Sequence, residues 1–319
     1  MIWGALIVAA GRGTRFGGPK QFVELMGLPL VGWSLRTFAA MPEIAHIVVA
    51  TEPEWVEPMR SLAEKLVTQQ PVVVVAGGAT RQESARNALY ALDDACNAVL
   101  VHDGARPLIH TADVRSAMAQ VRRGVAAVLA TPVIDTIKRV DPIRMIVHET
   151  LDRGELWAAQ TPQFAMREDF VRGHAHAVHT SHEATDDVAL LEHVAVEVAV
   201  VPATSENFKV TNPGDVARAE AVLRERLEHA PQEEEVLLVE VFADDALVGA
   251  IERELELRGA RIDAVDRDLP QGVAVRAFVP AERLRGFAQR FEAFADGSAT
   301  FTTRFSHYAG RDEGVGVGT

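Results

Sequence analysis

With 319 residues, 48% hydrophobic and 24% charged, the chain has the make-up of a soluble globular protein and room for two domains. Its net charge of −13 argues against a general nucleic-acid or membrane-surface binder, so an anionic substrate would need a locally basic pocket. No apolar run reaches the roughly 18 residues of a membrane span, no basic-then-apolar leader suggests a signal peptide, and one cysteine, Cys96, rules out an intramolecular disulfide framework and fits a reducing cytoplasm.

A first strand is predicted over 5–8. Directly after it comes Ala9-Ala10-Gly11-Arg12-Gly13-Thr14-Arg15-Phe16-Gly17-Gly18-Pro19-Lys20. Glycines let a ligand approach the backbone, whose N–H groups can cradle phosphate oxygens. Arg12, Arg15 and Lys20 add the positive charge a polyphosphate requires. This is not a Walker A loop, because Lys20 is followed by Gln21 rather than Ser or Thr. Nor is it a dinucleotide fingerprint, because Phe16 stands where the third glycine would. The segment reads as a strand–loop element for a nucleoside triphosphate.

Further strands are predicted over 46–50, 72–76, 98–102, 126–132 and 196–202, with helices around 29–40, 55–69 and 81–94. Strands alternating with helices imply a mostly parallel, Rossmann-like α/β sheet covered on both faces. Such sheets bind ligands at the carboxyl ends of their strands. The first loop, Gly77-Gly78 and His102-Asp103-Gly104-Ala105-Arg106-Pro107 each follow a predicted strand, so they are expected to form one composite site.

From about 132 to 157 the alternation fails. Residues 136–140 and 145–151 read as a strand pair joined through Asp141-Pro142, a projecting β-arm whose apolar positions a partner subunit would cover. A helix over 213–229 closes the first domain, taken as 1–230. Pro231 with Glu233-Glu234-Glu235 reads as a charged linker. Over 236–309 the pattern is βαββαβ, a small ferredoxin-like (split βαβ) α+β domain. Asp244 is placed to N-cap its first helix and Gly259 to end it, and Leu284, Phe287, Phe291 and Phe294 fall on one face of its second. Residues 310–319 are Gly-rich and expected to be disordered.

The motifs in order make a more specific pattern. They are Ala9 through Lys20, Gly77-Gly78 with Arg81 and Ser84, the Asp103 loop, Pro132 through Lys138, Leu151-Asp152-Arg153-Gly154-Glu155-Leu156-Trp157, Thr161-Pro162-Gln163-Phe164, Thr185-Asp186-Asp187 and Asn207-Phe208-Lys209-Val210-Thr211. Over about 3–229 the chain resembles the 2-C-methyl-D-erythritol 4-phosphate cytidylyltransferases of non-mevalonate isoprenoid biosynthesis. The resemblance implies a cytoplasmic homodimer joined through its β-arms. It implies a Mg²⁺-dependent reaction of CTP with a polyol phosphate that gives a CDP-alcohol and pyrophosphate. Arg15, Lys20 and Lys209 would be catalytic, acting on the triphosphate. Ala10, Gly11, Gly13, Gly78, Arg81, Ser84, Asp103 and Ala105 would hold the CTP, and Arg106, Thr136, Arg153, Thr161 and Thr185 the second substrate, with Thr136 and Arg153 reaching a neighbouring subunit's site. Mg²⁺ would be held mainly by triphosphate oxygens, with Asp103 a possible ligand.

The chemistry of the residues agrees, since a phosphate oxygen is already a nucleophile and the chain shows clustered cations without an obvious nucleophilic side chain. A ribitol 5-phosphate cytidylyltransferase, with nearly the same motifs, remains open, as does an inactive homologue acting as a binding module. Residues 236–309 resemble the last domain of elongation factor G, which touches the ribosome. The acidic residues Asp263, Asp266, Asp268 and Glu282 are interleaved with arginines, so no one-sided basic stripe is formed and an accessory role is favoured over ribosome contact. His174, His176, His179 and His182 are expected on an exposed helix and loop, with no metal assigned to them. His102 is read as structural and Cys96 as an inert thiol.

Overall fold

In a computed structural model, residues 1–11, 16, 18–229, 233–269, 272–284, 286–295 and 297–310 are described. The predicted Gly-rich tail from 311 onward lies outside these residues, and so do Arg15 and Gly13 of the first loop. The chain divides into two compact units, Met1–Arg226 and Leu227–Thr319.

The first unit opens with β1 (Trp3–Ala9), a two-stranded ribbon β2 (Glu24–Leu25) and β3 (Leu28–Pro29), and α1 (Leu30–Ala39). There follow β4 (Ile44–Thr51), α2 (Val56–Leu66), β5 (Val72–Ala76), α3 (Arg81–Tyr90), β6 (Ala98–Asp103), α4 (Thr111–Met118) and β7 (Val125–Pro132). The hairpin β8 (Lys138–Asp141) and β9 (Ile146–Thr150) comes next, then β10 (Trp157–Met166), α5 (Arg167–Thr180), α6 (Asp187–Glu192), β11 (Glu197–Pro202) and α7 (Pro213–His229). The main sheet has seven strands in the order β11-β7-β10-β6-β1-β4-β5. Its pairings are parallel except for those of β10, which runs antiparallel between β6 and β7.

The central strands are apolar without alternation because helices cover both faces; every residue of β6 is buried. One core layer joins Trp3, Ile7, Phe38, Ile47 and Leu100 to α1, α2 and α4. The other joins Leu6, Val48, Leu89 and Val101 to Phe170 of α5 and Val188 and Leu191 of α6.

The sequence analysis did not place β10. A proline inside a short polar run ordinarily demotes a strand, and here the ladder to β7 shifts register between Ala159 and Gln163, around Pro162. Between the end of β7 at Pro132 and the start of β10 at Trp157, the paired strands of the arm hairpin run over 138–141 and 146–150. Arg139 pairs with Glu149 and Lys138 donates to Thr150 across it.

In the second unit, β12 (Glu233–Ala243), α8 (Asp245–Leu257), β13 (Arg261–Leu269), β14 (Gly272–Pro280), α9 (Phe287–Ala295) and β15 (Ala299–Gly310) form an antiparallel sheet in the order β13-β14-β12-β15. This is the expected split βαβ arrangement. Val239, Val241, Val273 and Val275 bury one sheet face against Val248, Ile251 and Leu255 of α8 and Phe287 and Phe291 of α9. Asp244 is at the N-cap, though its side chain makes no capping bond there, and Gly259 follows α8 at φ +70. The glutamate run read as linker opens β12 instead, because Glu233, Glu234 and Glu235 ladder with Gly310, Ala309 and Tyr308. The Phe294 side chain lies outside the described residues.

Phe164 of β10 is fully buried and meets Trp3 edge to face at 6.1 Å. Phe164→Ala is expected to cost about 3–5 kcal/mol in denaturant unfolding. A loss under about 1 kcal/mol would mean that β10 does not carry this core.

Candidate active site

The carboxyl ends of β1, β4, β5 and β6 surround a cleft of about 800 Å³. Ala10, Gly11, Lys20, Gly78, Arg81, Ser84, Asp103, Ala105 and Lys209 line it. Most of the nucleotide-site residues proposed from sequence are thus brought together.

The backbone of Gly77-Gly78 passes close to other elements. A Cβ on Gly77 would stand 2.5 Å from the Ala10 Cβ, and one on Gly78 would overlap Glu83. Gly78 N–H donates to Ser84 Oγ at 3.0 Å, and that hydroxyl donates to the Thr80 carbonyl at 2.9 Å. Ser84 therefore fixes the turn with its own proton committed. Thr80 and Glu83 close a capping box at the start of α3.

That box aims Arg81 inward. Its Nε donates to Asp103 Oδ1 at 2.9 Å and its Nη2 to Asp187 Oδ2 at 2.7 Å. The other Asp103 oxygen accepts from Lys209 Nζ at 2.8 Å. Burial alone would raise the Asp103 carboxyl, but Arg81 and then Lys209 hold it well below the usual carboxylate range. Burial likewise pushes the Asp187 carboxyl up, against the pull of Arg81. Breaking one side of such a buried pair leaves an uncompensated charge and costs several kcal/mol, about 3–5.

Beneath Asp103 lies a chain of neutral polar contacts. Asp103 N–H donates to Thr161 Oγ1 at 3.0 Å, and Thr161 meets His102 Nδ1 at 3.2 Å. His102 Nε2 lies 3.0 Å from the Arg106 carbonyl. A carbonyl can only accept, so Nε2 carries the proton and Nδ1 accepts from Thr161. His102 is fully buried, and burial first of all pushes it down to about 4, so it is a neutral spacer, in agreement with its structural reading.

Arg106 does not line the cleft. Its Nη1 donates to the Asn207 carbonyl at 2.7 Å, while fully buried Asn207 donates to Gln160 and to the Thr161 carbonyl. This network fixes the segment after β11 from which Lys209 projects. Lys20 Nζ reaches the Val210 carbonyl at 3.1 Å. Thr136 and Arg153 sit exposed on the arm and Thr185 in an exposed loop, so within one chain they are not gathered with the others. Arg153 is tied to the Ile134 carbonyl at 2.6 Å.

The sequence reading quoted Asp187 and Gln163 without giving them a role, and did not single out Glu52, which lines the cleft. Gln163 Oε1 accepts from the N–H groups of Asp187 and Val188, fixing the start of α6. The only sequence signal for this was the quoted Thr-Asp-Asp and Thr-Pro-Gln-Phe runs. One expectation is corrected. His174 lies on α5 but is buried, not exposed, because its helix face packs into the core, and burial pushes its imidazole down to about 4. Cys96 is buried, and burial raises its thiol. Among the described residues no group of three or more His, Cys, Asp and Glu stands where it could hold a metal ion.

A Rossmann-like sheet with lysines and a carboxylate converging at its carboxyl edge, beside a Gly-rich loop, is the architecture of a nucleotidyltransferase. Comparison with known proteins specifies which one. Residues 4–225 match the family model described as 2-C-methyl-D-erythritol 4-phosphate cytidylyltransferase. The enzyme of that name from Gloeobacter violaceus is 41% identical over 228 residues, covering 71% of this chain and 98% of its own. That from Salinibacter ruber is 42% identical over 218 residues, covering 68% and 91%. The crystal structure of the Thermus thermophilus enzyme superposes with a TM-score of 0.57 at 32% identity, covering 69% of this chain and 98% of its own. The chain belongs to the 2-C-methyl-D-erythritol 4-phosphate cytidylyltransferase family. Residues 233–314 match a second model, described as Elongation factor G C-terminus.

Both buried histidines give the fold a pH dependence. His102 and His174 are neutral when folded, whereas the unfolded chain protonates them near the ordinary 6.5. Stability from these groups is therefore complete above that value and lost as the pH falls toward about 4, at up to about 1.4 kcal/mol per pH unit for each. In denaturant titrations between these limits, His174→Leu should flatten the slope, and an unchanged slope would contradict the assignment.

Proposed function

We propose that this chain transfers CMP from CTP to 2-C-methyl-D-erythritol 4-phosphate, with Mg²⁺. The products are 4-diphosphocytidyl-2-C-methyl-D-erythritol and pyrophosphate, an intermediate step of non-mevalonate isoprenoid biosynthesis in the cytoplasm. The observation that carries this is the convergence of Lys20, Lys209 and the Arg81-clamped Asp103 on one cleft large enough for a nucleotide.

The reaction needs little covalent help. An oxygen of the substrate phosphate attacks the α-phosphorus, the bond to the bridging oxygen of the β-phosphate breaks, and pyrophosphate leaves. Two anions must be brought together and the charge of the crowded phosphorus stabilised. Lys20 and Lys209, with Arg15, serve that purpose. Ala10, Gly11 and Gly78 bring backbone groups to the nucleoside, and Ser84 holds Gly78 in place. Thr161 acts from behind, through Asp103. Mg²⁺ suits this wall, because Asp103 is a hard oxygen donor held ionised by its neighbours, and most of the ion's ligands would be phosphate oxygens. The ion would neutralise triphosphate charge and orient the leaving group.

The arm supports a homodimer. Ile134, Ile143 and Met145 are 80%, 92% and 75% exposed in the single chain, a patch of the kind that a partner covers. Thr136 and Arg153 would then grip the substrate phosphate of the neighbouring site. The second unit is read as an accessory domain, and no helix among the described residues is long and apolar enough to cross a membrane.

Assaying the purified protein with CTP and either methylerythritol 4-phosphate or ribitol 5-phosphate tests the reading, and a preference for ribitol phosphate would replace the substrate. Lys20→Ala should lower kcat by roughly 10²-fold, as for loss of one preorganised charge, while circular dichroism stays unchanged. An active variant would remove this loop from the mechanism. Lys20→Ala and Arg153→Ala proteins, each inactive alone, should regain activity when mixed and allowed to exchange subunits. If exchange is shown and activity does not return, Arg153 acts within its own chain.

A further inference from the structure

The cleft has one wall that the scheme above does not use. Glu52 directly follows β4, and the Thr51 carbonyl before it accepts the Gly77 N–H at 2.6 Å. Glu52 therefore stands beside Gly77-Gly78, at the end of the cleft over β4 and β5, and lines it. Its carboxylate Oε1 is buried and has no hydrogen-bond partner among the described residues. A buried acceptor left unsatisfied is costly and points to a donor that arrives with a ligand.

The segment holds this acceptor in place. Glu52 precedes Pro53, which confines it to extended backbone, here φ −60 and ψ 146. The Pro53–Trp55 turn is then pinned by Trp55 packing on Phe22 at 5.2 Å between centroids. Glu54, the neighbouring carboxylate, accepts from the Trp55 indole at 3.0 Å and is exposed. Glu52 is thus a preorganised acceptor.

The lysine ammonium groups of the cleft gather at the end of β6, with β1 between it and β4. Lys209 is on Asp103 at the end of β6, and Lys20 reaches the Val210 carbonyl beside it. A triphosphate belongs there and is repelled by Glu52, so Glu52 faces the uncharged, donor-bearing part of the nucleotide. Cytosine presents an exocyclic amino group, which a carboxylate accepts well, whereas uracil presents a carbonyl at the same position.

We propose that Glu52 is a specificity-determining residue of this site, whose Oε1 accepts a hydrogen bond from the cytosine amino group and rejects uracil by opposing its carbonyl. The proposal rests on the cytidylyltransferase reading and adds to it a side chain that reads the base.

The test compares kcat/KM for CTP and UTP with methylerythritol 4-phosphate in the wild-type, Glu52→Ala and Glu52→Gln proteins. Calorimetric Kd values for both nucleotides and circular dichroism are measured on the same samples. Glu52→Ala should lower kcat/KM for CTP by about 10–100-fold, the range for a hydrogen bond to a charged group, and leave UTP unchanged or improved. Glu52→Gln should lose less with CTP and gain with UTP, because its amide can donate to the uracil carbonyl. An equal fall for both nucleotides would assign Glu52 to the ribose hydroxyls and overturn the proposal, as would an unchanged CTP-to-UTP ratio. If the wild-type protein turns over neither nucleotide, the catalytic reading fails by itself. The Kd ratio then decides for or against base reading by the same criterion.

Discussion

The Arg81 guanidinium, held between Asp103 and Asp187, is the interaction on which the rest of the site depends. It joins the start of α3, the end of β6 and the start of α6, elements that the chain visits far apart. Each carboxylate is nearly fully buried and could not remain ionised without the shared cation. Because Arg81 occupies one Asp103 oxygen, the other is presented to Lys209 and the cleft. The arrangement converts burial, which alone would neutralise Asp103, into a fixed negative charge paired with Arg81 and Lys209.

The same constraint explains why β10 runs antiparallel through a parallel sheet. It inserts Thr161 and Gln163 between β6 and β7, where Thr161 can receive the Asp103 N–H and Gln163 can hold the first N–H groups of α6. The irregular register around Pro162 costs ladder hydrogen bonds, and the polar network of Gln160, Thr161, Gln163 and Asn207 replaces them.

Charge is distributed in the same economical way. A chain with a net charge of −13 concentrates cations where strand ends converge, and balances them with buried carboxylates, of which Asp103 is held well below the usual range by Arg81 and Lys209. Glu52 carries the opposite sign at the end of β4, with β1 between it and the Asp103–Lys209 pair at the end of β6. The second unit has its own core, built from valines and phenylalanines.

Much of this was legible in the sequence. The alternation of apolar runs and helical patterns determined the sheet class, because period and turn chemistry are local properties. The glycine–arginine–lysine loop and the positions of Gly77-Gly78 and Asp103 after strand-like runs determined that phosphate chemistry would gather at one sheet edge, whereas Lys209 was placed there by the family resemblance. The βαββαβ order of the second unit was equally local. Only the tertiary structure decided which polar groups meet. Arg81 and Asp187 are 106 residues apart, and nothing near either one announces the other. His174 became core rather than surface because of the face α5 turns inward, and Glu233 became strand because a distant β15 supplies its ladder. Which charges are paired, and that the buried Glu52 Oε1 finds no donor among the described residues, are properties of the packing. They arise from the geometry of many distant contacts, and no window of sequence contains them.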